Sequence, residues 1–226
     1  MLIASDLVQV LQPLLDMDSP VFPQAAQRQT GVQMLWGVVL AAGGWRMAYL
    51  LQPHWRLGWA ALLGVGSSLP GPLSPAYWLE LAFASPSWTS VLLCSLWLWR
   101  QTRPQALFSD PWTARPATRI PIPWALCGVA MGWVLALDTF AALPMQQSVY
   151  GWGFSPLASV VLMVGAAAAW IISARWVHTL PFLALAFFVL TRLPSGNVWD
   201  GVLDPLLWLY LHSDLARHVW RNVRGR

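Results

Sequence analysis

Lysine is absent from the 226-residue sequence, and Glu80 is the only glutamate. Charged residues make up 10% of the chain, whereas roughly a quarter is typical of soluble proteins. A chain without lysine cannot form a Schiff base with retinal, so a pigmented rhodopsin is excluded. The low charge also excludes a disordered tail, a coiled coil and an ordinary soluble enzyme.

The sequence also has few groups for catalysis or metal binding. The two cysteines, Cys94 and Cys127, lie in apolar runs, which is typical of small buried residues and not of a disulfide scaffold. There is no HExxH, CxxC or GxSxG motif and no glycine-rich phosphate loop. We therefore predict no catalytic residue and no metal site, and the sequence favours a protein without enzymatic activity.

Apolar residues, by contrast, are abundant. They make up 57% of the chain, the mean hydropathy is +0.53, and 17 residues are tryptophan. Because a membrane span needs about 20 apolar residues, the chain has room for six or seven spans with short loops. The sequence predicts an all-α integral membrane protein, a bundle of about seven transmembrane helices.

Seven apolar stretches are the predicted spans. They run over residues 34–51, 57–69, 85–99, 122–143, 155–173, 176–193 and 199–217. Ser-Pro pairs at 74–75, 85–86 and 155–156 are typical helix starts, and the first pair opens a short helix that contains Glu80. Residues 57–99 form either two short spans joined by this interfacial helix or a re-entrant hairpin.

Small residues spaced four apart predict close helix packing on three of the spans. These faces consist of Gly37 and Ala41; of Gly128, Gly132 and Ala136; and of Gly165, Ala169 and Ser173. Each face is expected to meet a neighbouring helix at a short distance between backbones.

The arginines indicate the orientation of the bundle, because basic residues concentrate on the cytoplasmic side of membrane proteins. With the N-terminus outside and the C-terminus inside, Arg28 and Arg192 lie outside. The other eleven arginines then lie inside: Arg46, Arg56, Arg100, Arg103, Arg115, Arg119, Arg175, Arg217, Arg221, Arg224 and Arg226. The basic charge therefore reflects topology, and we predict no binding to nucleic acid.

The predicted organisation has three parts. Residues 1–30 form an outer amphipathic segment, residues 31–217 the transmembrane domain, and residues 218–226 a basic cytoplasmic tail. Residues 5–17 have the spacing of an amphipathic helix, which lies either on the membrane surface or against the protein's own core. The absence of lysine beside abundant alanine, arginine and proline is typical of a GC-rich bacterial gene, so the predicted location is the bacterial inner membrane.

Most of the tryptophans lie near the predicted ends of spans, where they form interfacial belts. The outer belt contains Trp78, Trp88, Trp152 and Trp199, and the inner belt contains Trp45, Trp55, Trp97, Trp99, Trp124, Trp176 and Trp220. An aromatic cage for a cationic ligand is the alternative interpretation.

Five ionisable residues on the outer side form the candidate functional site: Asp138, Arg192, Glu80, Asp200 and Asp204. Ionisable groups at membrane depth are costly and often functional, so carboxylates around Arg192 would serve an ion path or dock a partner protein. Alternatively, these groups lie at the headgroup level, where Asp204 caps a helix. Asp138 is the strongest candidate because it lies within the apolar run VLALDTFAAL.

Histidines provide the one candidate cofactor site. His178 and His212 lie at similar depth on neighbouring spans, and two such side chains would bind a b-type haem axially. The alternative is that both are ordinary interfacial histidines, and on that interpretation no cofactor is predicted.

These observations favour a non-catalytic integral subunit, anchor or assembly factor of a larger membrane protein complex. Its partners are the lipid bilayer and other proteins of that complex. The alternatives are a small transporter or channel that uses the outer acidic site, an intramembrane lipid enzyme, and a haem b electron-transfer subunit.

Overall fold

The computed structural model describes residues 21–102, 120–143, 148–173 and 176–224, and the side chains at 173–178 are not described. Within these ranges the regular structure is entirely helical. The helices are α1 (Ala25–Met47), α2 (Pro53–Gly66), α3 (Pro75–Phe83), α4 (Trp88–Thr102), α5 (Ile122–Thr139), α6 (Val149–Trp152), α7 (Pro156–Ser173), α8 (Trp176–Thr191), α9 (Val198–Val202) and α10 (Pro205–Arg224), with a 3₁₀ turn at Gly71–Leu73. The predicted helix at 5–17 and most of the polar loop at 100–120 lie outside the described residues.

The longer helices alternate in direction between two ends of the fold. Asp138, Asp200 and Asp204 lie at one end, which we call the acidic end. The opposite end, called the arginine end, holds six of the described arginines: Arg46, Arg56, Arg100, Arg217, Arg221 and Arg224. Arg28 and Arg192 lie at the acidic end, and the predicted orientation of the arginines relative to a membrane stays a prediction.

One described helix, α5, is long and apolar enough to cross a membrane. Only Ala125 and Gly132 of its 18 residues are buried. Shorter apolar stretches lie in α7 (Pro156–Ile172) and α8 (Thr179–Thr191). The fold is therefore all-helical with one candidate span among the described helices, and the bundle of seven spans stays a prediction.

Helices α1 and α2 pack closely through glycine. A Cβ added to Gly37 would lie 2.7 Å from Ser67 Oγ and 3.1 Å from the Gly64 carbonyl oxygen. A Cβ on Gly64 would lie 3.3 Å from Ala41 Cβ. The predicted contact face at Gly37 and Ala41 is thus confirmed.

Helices α5 and α10 form the second close pair, running antiparallel. The Trp208 indole lies against Gly132, where a Cβ would be 2.3 Å from the ring, and Leu211 lies against Gly128. Trp208 Nε1 also donates to the Val129 carbonyl at 3.1 Å. Gly128 and Gly132 therefore form the predicted face. The third predicted face is wrong at Gly165, which has no heavy atom within 4 Å of an added Cβ, because α7 turns this position outward.

A cluster around Phe188 forms the largest part of the core. It consists of Ala158, Leu185, Phe188, Val198 and Trp199. The cluster joins α7, α8 and α9 just below the acidic end. It thereby fixes the segment 192–204, which carries three of the five predicted site residues.

Helix starts follow local chemistry, with one correction. Ser74 Oγ accepts from Ala76 N at 3.1 Å, and Ser155 Oγ accepts from Leu157 N at 3.2 Å, so both predicted Ser-Pro starts are confirmed. The third predicted start, at 85–86, is wrong because α4 begins at Trp88 with Ser87 as its cap. The stretch at 199–217 also divides into two helices, α9 and α10.

Candidate functional site

Asp204 connects the starts of two helices at the acidic end. Its side chain is 5% exposed. Oδ1 accepts from Leu207 N at 2.8 Å, and Oδ2 accepts from Ser87 N at 2.8 Å and Ser87 Oγ at 2.7 Å. Ser90 Oγ donates to the same Oδ2. One carboxylate therefore caps α10, as the headgroup-level interpretation expects, and also caps α4.

This arrangement is electrostatically favourable, because a helix N-terminus carries a partial positive charge. Asp204 lies at two such ends at once. The cap on α10 follows from the Asp204-Pro205 pair in the sequence. The contact with Ser87, 117 residues away in the sequence, is not indicated by the residues near either position.

Asp138 holds the loop that follows its own helix. Oδ2 accepts from Ser148 Oγ at 2.7 Å and from Tyr150 N at 2.8 Å. Asp138 is partly exposed at the last turn of α5. Its carboxylate thus organises the start of α6 (Val149–Trp152).

Tyr150 extends this contact to Asp200. Tyr150 Oη donates to Asp200 Oδ2 at 2.8 Å, and Ser195 Oγ donates to the same oxygen. Asn197 Nδ2 donates to the Tyr150 carbonyl at 2.9 Å. Asp138, Ser148, Tyr150, Ser195, Asn197 and Asp200 together are called the Tyr150 network. It ties the end of α5 to the segment between α8 and α9.

Burial sets the protonation of this network. Burial raises the pKa of Asp200, and hydrogen bonds from Ser195 and Tyr150 and the charge of Arg28 oppose this rise. The pKa of Tyr150 is raised by burial and by the negative charge of Asp200. Tyr150 therefore stays protonated and serves as the donor to Asp200.

Arg192 is not surrounded by carboxylates. It is 7% exposed and has a φ of 57°. Nη1 donates to Ser159 Oγ at 3.3 Å, and the guanidinium carbon lies 5.5 Å from the Phe188 ring centre. No described residue hydrogen-bonds to Nη2. In the part of the chain that the structure describes, the one ion pair is Arg217–Asp214, at the arginine end.

The predicted cluster around Arg192 is therefore not formed by the described residues. The physical reason is that hydroxyl and backbone donors at the helix starts already occupy the three aspartates. Glu80 lies on α3, which packs against α1 and the 3₁₀ turn. No described residue hydrogen-bonds or ion-pairs with its carboxylate.

The predicted haem ligands lie on helices with different neighbours. α8, which carries His178, packs against α7, α4 and α9, whereas α10, which carries His212, packs against α5. His212 Nδ1 lies 2.8 Å from the Trp208 carbonyl oxygen, and its ring contacts those of Trp208 and Trp133 edge-on. The packing thus gives His212 an aromatic environment. The side chain of His178 is not described, so the haem pairing stays a prediction.

The two cysteines are not joined in a disulfide. Cys94 and Cys127 are free thiols, the first half-buried and the second exposed, so the interpretation of both as buried residues is wrong for Cys127. Among the described residues, no group of three or more His, Cys, Asp or Glu side chains is arranged to hold a metal ion.

The fold and the acidic end define an all-helical protein whose described carboxylates at that end mostly serve as caps and loop ties. No protein-family model, no curated protein and no solved structure matches this chain. Any proposal for its function therefore depends on the residues of this chain alone.

Proposed function

We propose that the chain is a non-catalytic integral subunit, anchor or assembly factor of a larger protein complex in the bacterial inner membrane. Its proposed spans are α1, α2, α4, α5, α7, α8 and α10. The segments that contain α3, α6 and α9 lie outside these spans. The observation that carries the proposal is the outward orientation of the apolar side chains.

Apolar side chains of the long helices point away from the core. On α5 and α7 alone the exposed ones include Leu126, Trp133, Val134, Leu137, Val161, Val164, Ile171 and Ile172. Soluble monomers rarely expose contiguous apolar surface of this extent. Lipid or partner helices would cover this apolar surface and thereby avoid the free-energy cost of exposing it to water.

The polar groups support the non-catalytic part of the proposal. Buried polar residues of the fold include Ser67, Ser74, Ser87, Ser159, Asn197 and Asp204, and most of them hydrogen-bond to backbone or to each other. A catalytic carboxylate needs access to a substrate proton. Asp204 is instead closed off by donors from α4 and α10.

Membrane orientation is testable by cysteine labelling. In a background with Cys94→Ala and Cys127→Ala, we expect a membrane-impermeant maleimide to label Gln24→Cys in intact spheroplasts. Asn222→Cys, at the arginine end, should react only after permeabilisation. The reverse pattern would contradict the orientation, and recovery of the chain in the soluble fraction would contradict the membrane location.

Membership of a complex is testable on α3, which lies outside the proposed spans and carries exposed apolar side chains. Leu81 is 66% exposed there, whereas Leu73 is 74% exposed on the adjacent 3₁₀ turn. After purification in mild detergent, we expect a complex with a defined set of partner proteins that Leu81→Gln weakens and Leu73→Gln preserves. A monodisperse monomer with no co-purifying protein would count against the proposal.

A transporter or channel is the second candidate. The observation that favours it is the Tyr150 network, in which Tyr150 connects the carboxylates of Asp138 and Asp200 through its backbone N–H and its hydroxyl. Two carboxylates near α6 would provide successive binding sites for a proton or cation. Asp138→Asn should abolish ion flux in proteoliposomes if this candidate is correct, and unchanged flux would refute it.

A further inference from the structure

A cavity of about 300 Å³ opens between the beginning of α5 and the second half of α10. It lies at the arginine end, far along both helices from Asp138 and Asp204. Apolar residues from both helices, Ile122, Ala125 and Leu215 among them, form part of its wall. A volume of this size is at the lower end of the range for small-molecule sites.

The charged residues of the cavity favour an anion. Arg221 and His218 line it together with Asp214. The Asp214 carboxylate lies 3.9 Å from Arg217 Nη2, so its charge is partly offset. No described residue pairs with the Arg221 guanidinium, which leaves one uncompensated positive charge at the wall.

His218 adds a hydrogen-bond donor. Its Nε2 lies 3.0 Å from Asn222 Nδ2. Because an amide nitrogen donates, Nε2 accepts and the proton of the neutral ring lies on Nδ1. A donor of this kind beside a guanidinium is typical of sites that bind phosphate oxygens.

The start of α5 strengthens this preference. Pro121 occupies the N-cap position and makes no side-chain cap hydrogen bond, and the first turn of the helix has no acidic residue. Ile120, Pro121 and Ile122 all line the cavity. The partial positive charge of this helix end therefore adds to that of Arg221.

The cavity also continues onto apolar surface. Ile122 lines it and is 40% exposed, and Leu126, one turn along α5, is 54% exposed. A ligand with an anionic head in the cavity and an acyl chain along Ile122 and Leu126 would contact both the charged wall and the exposed apolar surface.

We propose that this cavity binds the phosphate of an anionic phospholipid headgroup, with an acyl chain along Ile122 and Leu126. Arg221 and His218 contact the phosphate in this proposal. The inference rests on the proposed membrane location, and it assigns a specific lipid site to the arginine end. Anionic lipids are enriched at the cytoplasmic surface of the membrane. In the proposed orientation the arginine end lies at that surface.

The test uses the full-length protein in non-ionic detergent, with bound phosphatidylglycerol counted by native mass spectrometry over a titration. We expect Arg221→Gln to weaken binding about tenfold, the effect of losing one charge-assisted contact at a partly exposed site. Arg224→Gln is the matched control, because Arg224 stacks on Trp220 with its guanidinium carbon 4.3 Å from the ring centre and does not line the cavity. Asp214→Asn should strengthen binding.

Two further ligands identify the source of the phosphate. Phosphatidylcholine should bind more weakly than phosphatidylglycerol, and glycerol 3-phosphate, which lacks the acyl chain, should bind more weakly still. Equal losses in Arg221→Gln and Arg224→Gln would overturn the site, and so would equal binding of the two lipids. Tighter binding of glycerol 3-phosphate would overturn the lipid assignment. Each of these failures would leave the chain in the membrane fraction, so it is distinguishable from failure of the proposed function.

Discussion

Removal of the Asp204 carboxylate should destabilise the fold more than any other single change at the acidic end. Asp204→Ala removes the cap of α10 and, at the same time, the acceptor that supports Ser87 at the start of α4, where Ser87 Oγ still accepts from Ser90 N. Four donors lose their acceptor: Leu207 N, Ser87 N, Ser87 Oγ and Ser90 Oγ. At this buried position water cannot readily replace them.

The expected magnitude follows from these contacts. Loss of one N-cap costs about 1 kcal/mol, and a buried donor left unsatisfied costs about 1–3 kcal/mol. The lost cap of α10 and the unsatisfied donors at the start of α4, with partial relaxation of the serine hydroxyls, then amount to about 3–5 kcal/mol. Asp204→Asn keeps one oxygen acceptor for α10 but presents an NH₂ group to the donors of α4, so we expect an intermediate loss of about 1–2 kcal/mol.

The assay is reversible unfolding of the purified protein in mixed micelles with increasing SDS, followed by circular dichroism. Asp214→Asn serves as the control, because it removes a carboxylate from a partly exposed site on the same helix. A double-mutant cycle between Asp204→Ala and Ser87→Ala should give a coupling energy of about 1 kcal/mol or more. A loss below about 1 kcal/mol in Asp204→Ala would refute the two-helix cap.

Three further predictions concern other parts of the fold. Gly132→Leu should separate α5 from α10, because its Cβ would meet the Trp208 ring at 2.3 Å. The expected loss is about 2–3 kcal/mol in the same unfolding assay, whereas the control Gly165→Leu should be nearly neutral. Burial raises the pKa of Asp200 in the folded state, so the stability that its protonation provides is present below about pH 4 and is lost as the pH rises through the folded pKa. The free energy of unfolding of the native protein should therefore fall relative to Asp200→Asn between acidic and neutral pH, and parallel pH profiles would contradict this. Arg192→Met should cost less than about 1 kcal/mol, because a buried guanidinium whose Nη2 has no partner among the described residues contributes little net stability; a large loss would indicate an anionic partner for Arg192.

Local chemistry made several parts of this fold predictable. Ser74, Ser155 and Asp204 precede proline, and each accepts a backbone hydrogen bond at a helix start. Gly128 and Gly132 follow the helical repeat, and both receive side chains from α10. These features depend on residues within one or two turns of each other.

Features that depend on distant residues were not predictable. Periodicity places Gly165 on one face of α7, but it does not say whether this position meets a neighbour, and no described residue lies close to it. The bond from Tyr150 to Asp200 joins residues 50 apart, and nothing in either neighbourhood indicates it. The sequence predicts carboxylates around Arg192 because opposite charges attract. In the fold, hydroxyl and backbone N–H donors that lie closer to the three aspartates form hydrogen bonds with them instead.

The cap at Asp204 has a consequence for the order in which the chain is made. α4 leaves the ribosome long before its capping carboxylate exists, since Ser87 and Asp204 are 117 residues apart. At about 5–20 residues per second, the delay is roughly 6–23 s. Until then the first turn of α4 depends on Ser87 alone. The contacts of Asp204 at the acidic end therefore form only when synthesis of the last helix begins, and a chain truncated before residue 204 would lack the acceptor for Ser87 and Ser90 at the start of α4.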